Sequence, residues 1–415
     1  MRERIHRRPR TIAIIKRNKI ALLVRLWLAN MVCMENTRFT NTAAWLSTKQ
    51  SPLQVGPAPY TPPKADEIVV RNHAVSMNPM DWIKQVAGYF LFNWIKYPFV
   101  LGSDSAGEVV EVGSAVTRFK VGARALGHAV GTDPKRNSAA EGSFQTYTVI
   151  LERMASPIPA AMSYEDASVL PLGLSTAACG LFEKDQLALD YPSATPRPNG
   201  KTLVVWGGST SVGSNAIQLA VAAGYEVFTT ASPRNFDYCK RLGASRVFDY
   251  KDANVVPDLI GALSGKTIAG ALAIGAGSPE ACVAVVSACE GTKFVSIATY
   301  PISFDQPLGQ NVPVLATVSR FLWFSVKLWL LTRLRGIRSK LVFGSSLVHS
   351  DVGRVVYAEF LPRALAERRF LAAPEAQVVG TGLASIQDAL DVQRRGVSAK
   401  KIVVSLSQSP GGVGA

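Results

Sequence analysis

The sequence predicts an α/β protein with two parts, a small barrel-like β domain and a doubly wound parallel sheet. Three observations predict it. Short β-rich runs, each bounded by Gly, Pro or Asp, begin at Asp66. From about Tyr164 strands alternate with helices over about a hundred residues, the pattern of a parallel sheet covered on both faces. A glycine-rich turn joins the first of those strands to the first of those helices. The 415 residues exceed one ordinary domain, and 48% hydrophobic with 18% charged residues is a globular composition.

Residues 1–33 are nearly acid-free, with nine Lys/Arg against one Glu. Their apolar stretch Ile20–Val32 is broken by Arg25 and is too short to span a bilayer. The segment reads as a non-essential extension, a mitochondrial-type targeting peptide or a membrane-surface helix. The chain is expected to be cytoplasmic, or mitochondrial if the second of these holds. A second basic stretch, residues 306–350, has six Lys/Arg and no acid. These two segments carry nearly all of the +15 net charge, so the body is close to neutral and nucleic-acid binding loses its support. Five cysteines without a Cys-x-x-Cys pair exclude a disulfide scaffold and a zinc ribbon.

Glu67–His73, Glu108–Val112 and Phe144–Ile150 are predicted strands of the β domain, which shows no long helix. Val204–Trp206, Glu226–Thr230, Val247–Tyr250, Ala269–Ile274 and Lys293–Ala298 are predicted strands of the parallel sheet. Helices over Val212–Ala223, Phe236–Leu242, Val255–Leu263 and Pro279–Cys289 separate them. A helix over Ile386–Arg395 and a strand over Lys401–Ser405 close the chain.

The turn Gly207-Gly208-Ser209-Thr210-Ser211-Val212-Gly213 carries the strongest functional signal. Glycines let the backbone approach a diphosphate, and the following helix offers free N–H groups and the positive end of its dipole. Ser209, Thr210 and Ser211 are read as additional hydroxyl donors. An NAD site usually has Asp or Glu at the end of the second strand, to accept from the ribose 2′-hydroxyl. Here that place reads Thr229-Thr230-Ala231-Ser232-Pro233-Arg234-Asn235, with no carboxylate to repel a 2′-phosphate and a guanidinium to bind one. NADPH is therefore the expected cofactor. Ser232, Arg234 and Asn235 are expected to hold its phosphorylated ribose, with Tyr250 walling the adenosine side.

Asn78-Pro79-Met80-Asp81, GSDSAGEVVEVGSAVTRFKVG (102–122), EGSFQTYTV (141–149) and LPLGLSTAACGLF (170–182) then occur in an order that resembles the medium-chain dehydrogenase/reductase superfamily. With the GGSTSVG turn, SPRNF (232–236) and FDY (248–250), the resemblance narrows to its zinc-independent branch of quinone oxidoreductases and fungal trans-acting enoyl reductases. It covers residues from about 36 to 407. It implies a GroES-like β-barrel catalytic domain (34–164, completed by 366–415) around a Rossmann domain (165–365) with a basic apolar insertion at about 315–340. Asn78 and Ser103 stand where zinc alcohol dehydrogenases carry zinc ligands, so no metal is expected.

Hydride donation without a Lewis acid suits reduction of a C=C bond conjugated to a carbonyl. The resemblance places Asn78, Asp81 and Thr176 beside the nicotinamide and Ser398 on the phosphate side. By the same resemblance Lys84, shortly after the Asn-Pro-x-Asp motif, is a catalytic candidate, Tyr147 is the candidate proton donor, and His73 and His128 read as structural. The expected substrate is a small-molecule or carrier-bound enoyl group. A quinone reductase on free metabolites and a nucleotide-binding scaffold without turnover are the rivals. In the basic insertion the apolar run Phe321–Leu331 is 11 residues long and interrupted by Lys327, so it is not expected to span a membrane. On a helix Arg320, Lys327, Arg335 and Arg338 would share one face. The segment reads as a helix packed against the Rossmann domain with a solvated basic rim, or as one that covers the cleft, docks an acidic carrier protein or lies on a membrane surface, and membrane contact is not expected. The strand Lys340–Gly344 is a candidate edge for a homodimer.

Overall fold

A computed structural model describes residues 39–300, 308, 310 and 313–407, and the described residues from 42 on form one compact unit. The basic segment 1–33 lies outside the described residues. Two seven-stranded sheets, beside a smaller three-stranded one, organise the compact unit. In the Rossmann sheet the order is Arg246–Asp249, Glu226–Ala231, Lys201–Trp206, Thr267–Ala273, Phe294–Ile297, Arg338–Leu341, every neighbouring pair parallel. In chain order that is 3-2-1-4-5-6, which puts the sheet's crevice beside the first strand. Because helices cover both faces, its strands are apolar on both sides. Leu203 and Val205 enter one core while Val204 and Trp206 enter the other.

The second sheet runs Glu375–Thr381, Lys400–Ser405, Glu67–Ser76, Asp104–Val112, Arg124–His128, Ala155–Pro157, with Tyr147–Leu151 also paired to Glu67–Ser76. Both chain ends therefore build it, and Ile402 and Val404 of the returning strand pack with Val75, Met77 and Leu101. One feature departs from the sequence reading. A 13-residue helix, Pro79–Leu91, leaves this sheet directly after Asn78. Pro79 at its first position and Asp81 in its first turn are helix-start signals, masked in the sequence by the Trp, Gly, Tyr and Phe that follow.

The basic insertion also differs from its reading. It is a helix of 21 residues, Val314–Leu334, long and apolar enough by length and composition to cross a membrane. Arg320 and Lys327 do not end the apolar run, because the helix continues through both. Arg335 follows its last residue and Arg338 opens a strand, so the expected four-residue basic face does not form. That strand, Arg338–Leu341, stands at the edge of the Rossmann sheet.

Candidate active site

Strand register builds the centre of the site. Ser76 pairs with Asp104 on one side and with Val403 on the other, and Asp104 pairs in turn with His128. Two residues beyond Ser76, antiparallel pairing sets Asn78 against Lys401. Asp104 Oδ2 accepts from Ser76 Oγ (2.6 Å), Asn78 Nδ2 (2.8 Å) and Lys401 Nζ (2.9 Å). Its Oδ1 accepts from the Leu172 N–H at 2.6 Å. Burial raises the pKa of Asp104, but the Lys401 charge and the hydrogen bonds from Ser76, Asn78 and Lys401 outweigh it, leaving it below the ordinary carboxylate range.

Lys401 Nζ also donates to Asn78 Oδ1. An ammonium can only donate and a carboxylate can only accept, so the two neighbours fix which way the Asn78 amide points. Of the two hydrogens on Nδ2, Asp104 takes one, and among the described residues the other is given no acceptor.

A second chain of hydrogen bonds runs behind this cluster. His128 Nδ1 lies 2.8 Å from Ser175 Oγ, which lies 2.8 Å from Tyr357 Oη, which donates to Pro171 O at 2.7 Å. Tyr357 has one hydrogen and gives it to a carbonyl, so Ser175 donates to Tyr357 and His128 Nδ1–H donates to Ser175. Burial holds the His128 pKa down at about 4, so the ring is neutral at ordinary pH.

The candidate residues divide by place. Asp81, in the first turn of the Pro79–Leu91 helix, accepts the Asn78 N–H through Oδ2 at 2.9 Å and keeps Oδ1 buried without a partner. Burial, opposed by Lys84, raises its pKa to about 6. Lys84 is buried and donates to Thr132 Oγ1 at 2.6 Å. Tyr147 is not brought to the cluster. It pairs with Arg71, five residues up the strand from Ser76 and so roughly 17 Å away, and packs edge-on against Tyr60. Thr176 Oγ1 donates to Leu172 O at 2.9 Å, which leaves its oxygen able to accept. Gly344 comes so close to it that a β-carbon there would sit 2.5 Å from Oγ1.

The glycine turn forms a cradle. Gly207 has φ +89°, and a β-carbon on Gly208 or Gly213 would be driven into Thr229 Oγ1 or Gly207 O. Thr210 caps the helix Ser211–Ala222, accepting from Gly213 N at 3.0 Å and donating to Gly207 O at 2.8 Å. Its hydroxyl is thus committed to the turn, contrary to its reading as a donor for the diphosphate. Ser209 is half-buried, whereas Ser211 Oγ is buried without a partner in the first turn, where the N–H groups of Ser211 and Val212 have no helical carbonyl. An orphaned hydroxyl, free N–H groups and a floor that tolerates no side chain fit a dinucleotide diphosphate.

At the end of the second strand Arg234 is exposed, Ser232 half-buried and Tyr250 exposed, with Lys251 beside the Tyr250 ring. Asn235 Nδ2 donates to Ser398 Oγ at 3.1 Å, tying the returning segment to the cofactor domain. Among the described residues no three His, Cys, Asp or Glu side chains gather as a metal set.

Sequence reasoning missed Lys401, Asp104, Ser76 and the Ser175–Tyr357 pair. A lysine opening the apolar run Ile402–Val404 was the available signal, since a charge on a buried strand needs a partner.

Residues 64–160 match the family described as the alcohol dehydrogenase GroES-like domain. The chain is 53% identical over 369 residues to the dehydrogenase pigH of Monascus ruber, an alignment covering 88% of this chain and 100% of that protein. It is 38% identical over 378 residues to the trans-enoyl reductase himH of Aspergillus japonicus, covering 89% and 98%. Among solved structures it is similar in fold to the CurK enoyl reductase, with a TM-score of 0.64 at 17% identity over 88% of this chain and 99% of that one.

Proposed function

The chain belongs to the medium-chain dehydrogenase/reductase superfamily, and from that premise we propose that it is an NADPH-dependent reductase of activated C=C bonds that needs no metal. It is an oxidoreductase, and its family uses a nicotinamide cofactor. One observation carries the reading further. The first two turns of the helix Pro171–Phe182 touch both halves of the site. The Leu172 N–H bonds Asp104, and Gly173 lies against the cradle, where a β-carbon would fall 2.5 Å from Ser211 Oγ. Thr176, one turn on along the same helix, is read as the residue that meets the cofactor between these two contacts.

When bound, the dinucleotide supplies a hydride to the β-carbon of a conjugated enoyl group. Negative charge then develops on the substrate carbonyl oxygen, and the spare Asn78 amide hydrogen is the chain's positioned donor in the cluster. Lys401 holds that amide from its other side and balances Asp104, so Asn78 does not reorient as charge develops. Thr176, with its hydrogen given to Leu172 O, presents an acceptor suited to the amide of a carboxamide. The neutral His128 has no proton to spare, because its Nδ1–H is given to Ser175, which supports protonation of the α-carbon from solvent. The absence of a carboxylate at Ser232 to Asn235 and the exposure of Arg234 support NADPH over NADH.

The test is steady-state oxidation of NADPH and NADH with a panel of enoyl thioesters, enones and quinones. Preference for enoyl thioesters with NADPH is the expected result. Turnover of quinones alone would replace the substrate class, and tight NADPH binding with no turnover on any of them would favour a scaffold.

A further inference from the structure

We propose that the outward face of the helix Val314–Leu334 docks on the surface of an anionic lipid bilayer. The proposal is independent of the reaction assigned above. Thr317, Leu328 and Thr332 are buried and mark the inward side, and Lys327 is tied to Glu280 of the neighbouring helix Ser278–Ala288 at 2.9 Å. At 100° per residue the opposite side is built from Leu315, Leu322, Trp323, Val326, Trp329 and Leu330, all exposed, with Leu315 84% and Trp323 71% accessible. The helix is thus apolar on both sides, but only one side has a protein partner. A face this rich in exposed leucine and tryptophan, broken by Ser319 and ended by Arg333, marks an interaction surface.

Charge selects the occupant. No acidic residue occurs from 306 to 350, and Arg320, Arg333, Arg335 and Arg338 are exposed along and just beyond the helix. A second copy would bring two acid-free basic segments together, and the adjacent edge strand adds Arg338 to the repulsion, Lys340 being paired with Asp185. Anionic head groups instead complement the cations, while tryptophan and leucine side chains enter the boundary between head groups and acyl chains. The helix lies on the bilayer rather than crossing it, because crossing would strip Thr317, Leu328 and Thr332 from the protein and break the Lys327–Glu280 pair.

The full-length protein is sedimented with phosphatidylcholine vesicles with and without phosphatidylserine. Binding only to the phosphatidylserine vesicles, weakened by salt, is expected. Combined Leu322→Glu, Trp323→Glu and Trp329→Glu should weaken it roughly hundredfold or more while circular dichroism stays unchanged. Combined Arg320→Gln, Arg333→Gln and Arg335→Gln should weaken it roughly tenfold or more and leave the apolar face intact. Three outcomes would overturn the proposal. They are no vesicle binding, equal binding to both compositions, and a dimer in solution that the triple Glu variant converts to a monomer. Capture of an acidic carrier domain through this face, without vesicle binding, would overturn it as well.

Discussion

Lys401 Nζ lies 2.9 Å from Asp104 Oδ2, with 5% and 0% of the two side chains exposed. The lysine comes from the last strand of the chain and the aspartate from the barrel's own strand Asp104–Val112. A buried charge without its partner is far costlier than the pair. Lys401→Met should therefore cost about 3–5 kcal/mol in urea unfolding, and Lys401→Met with Asp104→Asn should cost much less than the sum of the single changes. Additive losses would mean that the two residues do not act as a pair.

The proposed preference for NADPH rests on Arg234. Arg234→Ala should raise the KM for NADPH roughly tenfold or more and leave the KM for NADH nearly unchanged, since only the former carries the 2′-phosphate. Equal effects on both would remove the assignment to NADPH.

The cradle admits no side chain at Gly213, where a β-carbon would meet the Gly207 carbonyl, a backbone atom that cannot swing aside. Gly213→Ala should weaken dinucleotide binding by roughly a hundredfold or more in fluorescence titration. Gly122→Ala is the control, because nothing lies within 4 Å of a β-carbon there, although its φ of +85° still costs some stability. Unchanged affinity in Gly213→Ala would place the diphosphate elsewhere.

Two buried groups make stability depend on pH in opposite senses. His128 is held at about 4, below its unfolded value near 6.5. As pH falls through that window the unfolded chain binds the proton first, so His128 contributes stability that is complete above about 6.5 and lost toward about 4, on the order of 3 kcal/mol. Asp81 is raised to about 6 by burial, against Lys84. The unfolded chain loses that proton first, so the Asp81 contribution falls as pH rises from about 4 to about 6. Asp81→Asn keeps an oxygen for the Asn78 N–H and removes the fall, so unfolding midpoints should rise more steeply with pH between 4 and 6 than in the parent. An unaltered slope would contradict the burial of an ionising Asp81.

Much of this was legible in the sequence because it depends on local pattern. Val204–Trp206 running into Gly207 and Gly208, and helix alternating with strand to Ala298, specify the Rossmann half without distant contacts. The candidate cluster was only half legible. Asn78 and Thr176 stood out by resemblance, whereas Asp104, Lys401 and Ser76 meet only through pairing across three strands from both ends of the chain. Tyr147 was misplaced for the same reason, since its position along the barrel follows from register with Arg71 rather than from its neighbours. The helix Val314–Leu334 was cut short because its basic residues resembled boundaries, and only the fold shows which side of it is covered.

The most direct measurement uses NADPH deuterated at the transferable position of the nicotinamide, with an enoyl thioester as acceptor. The account predicts one deuterium at the β-carbon of the saturated product and a solvent-derived hydrogen at the α-carbon. A product with no deuterium, or with the label on a carbonyl carbon, would contradict it.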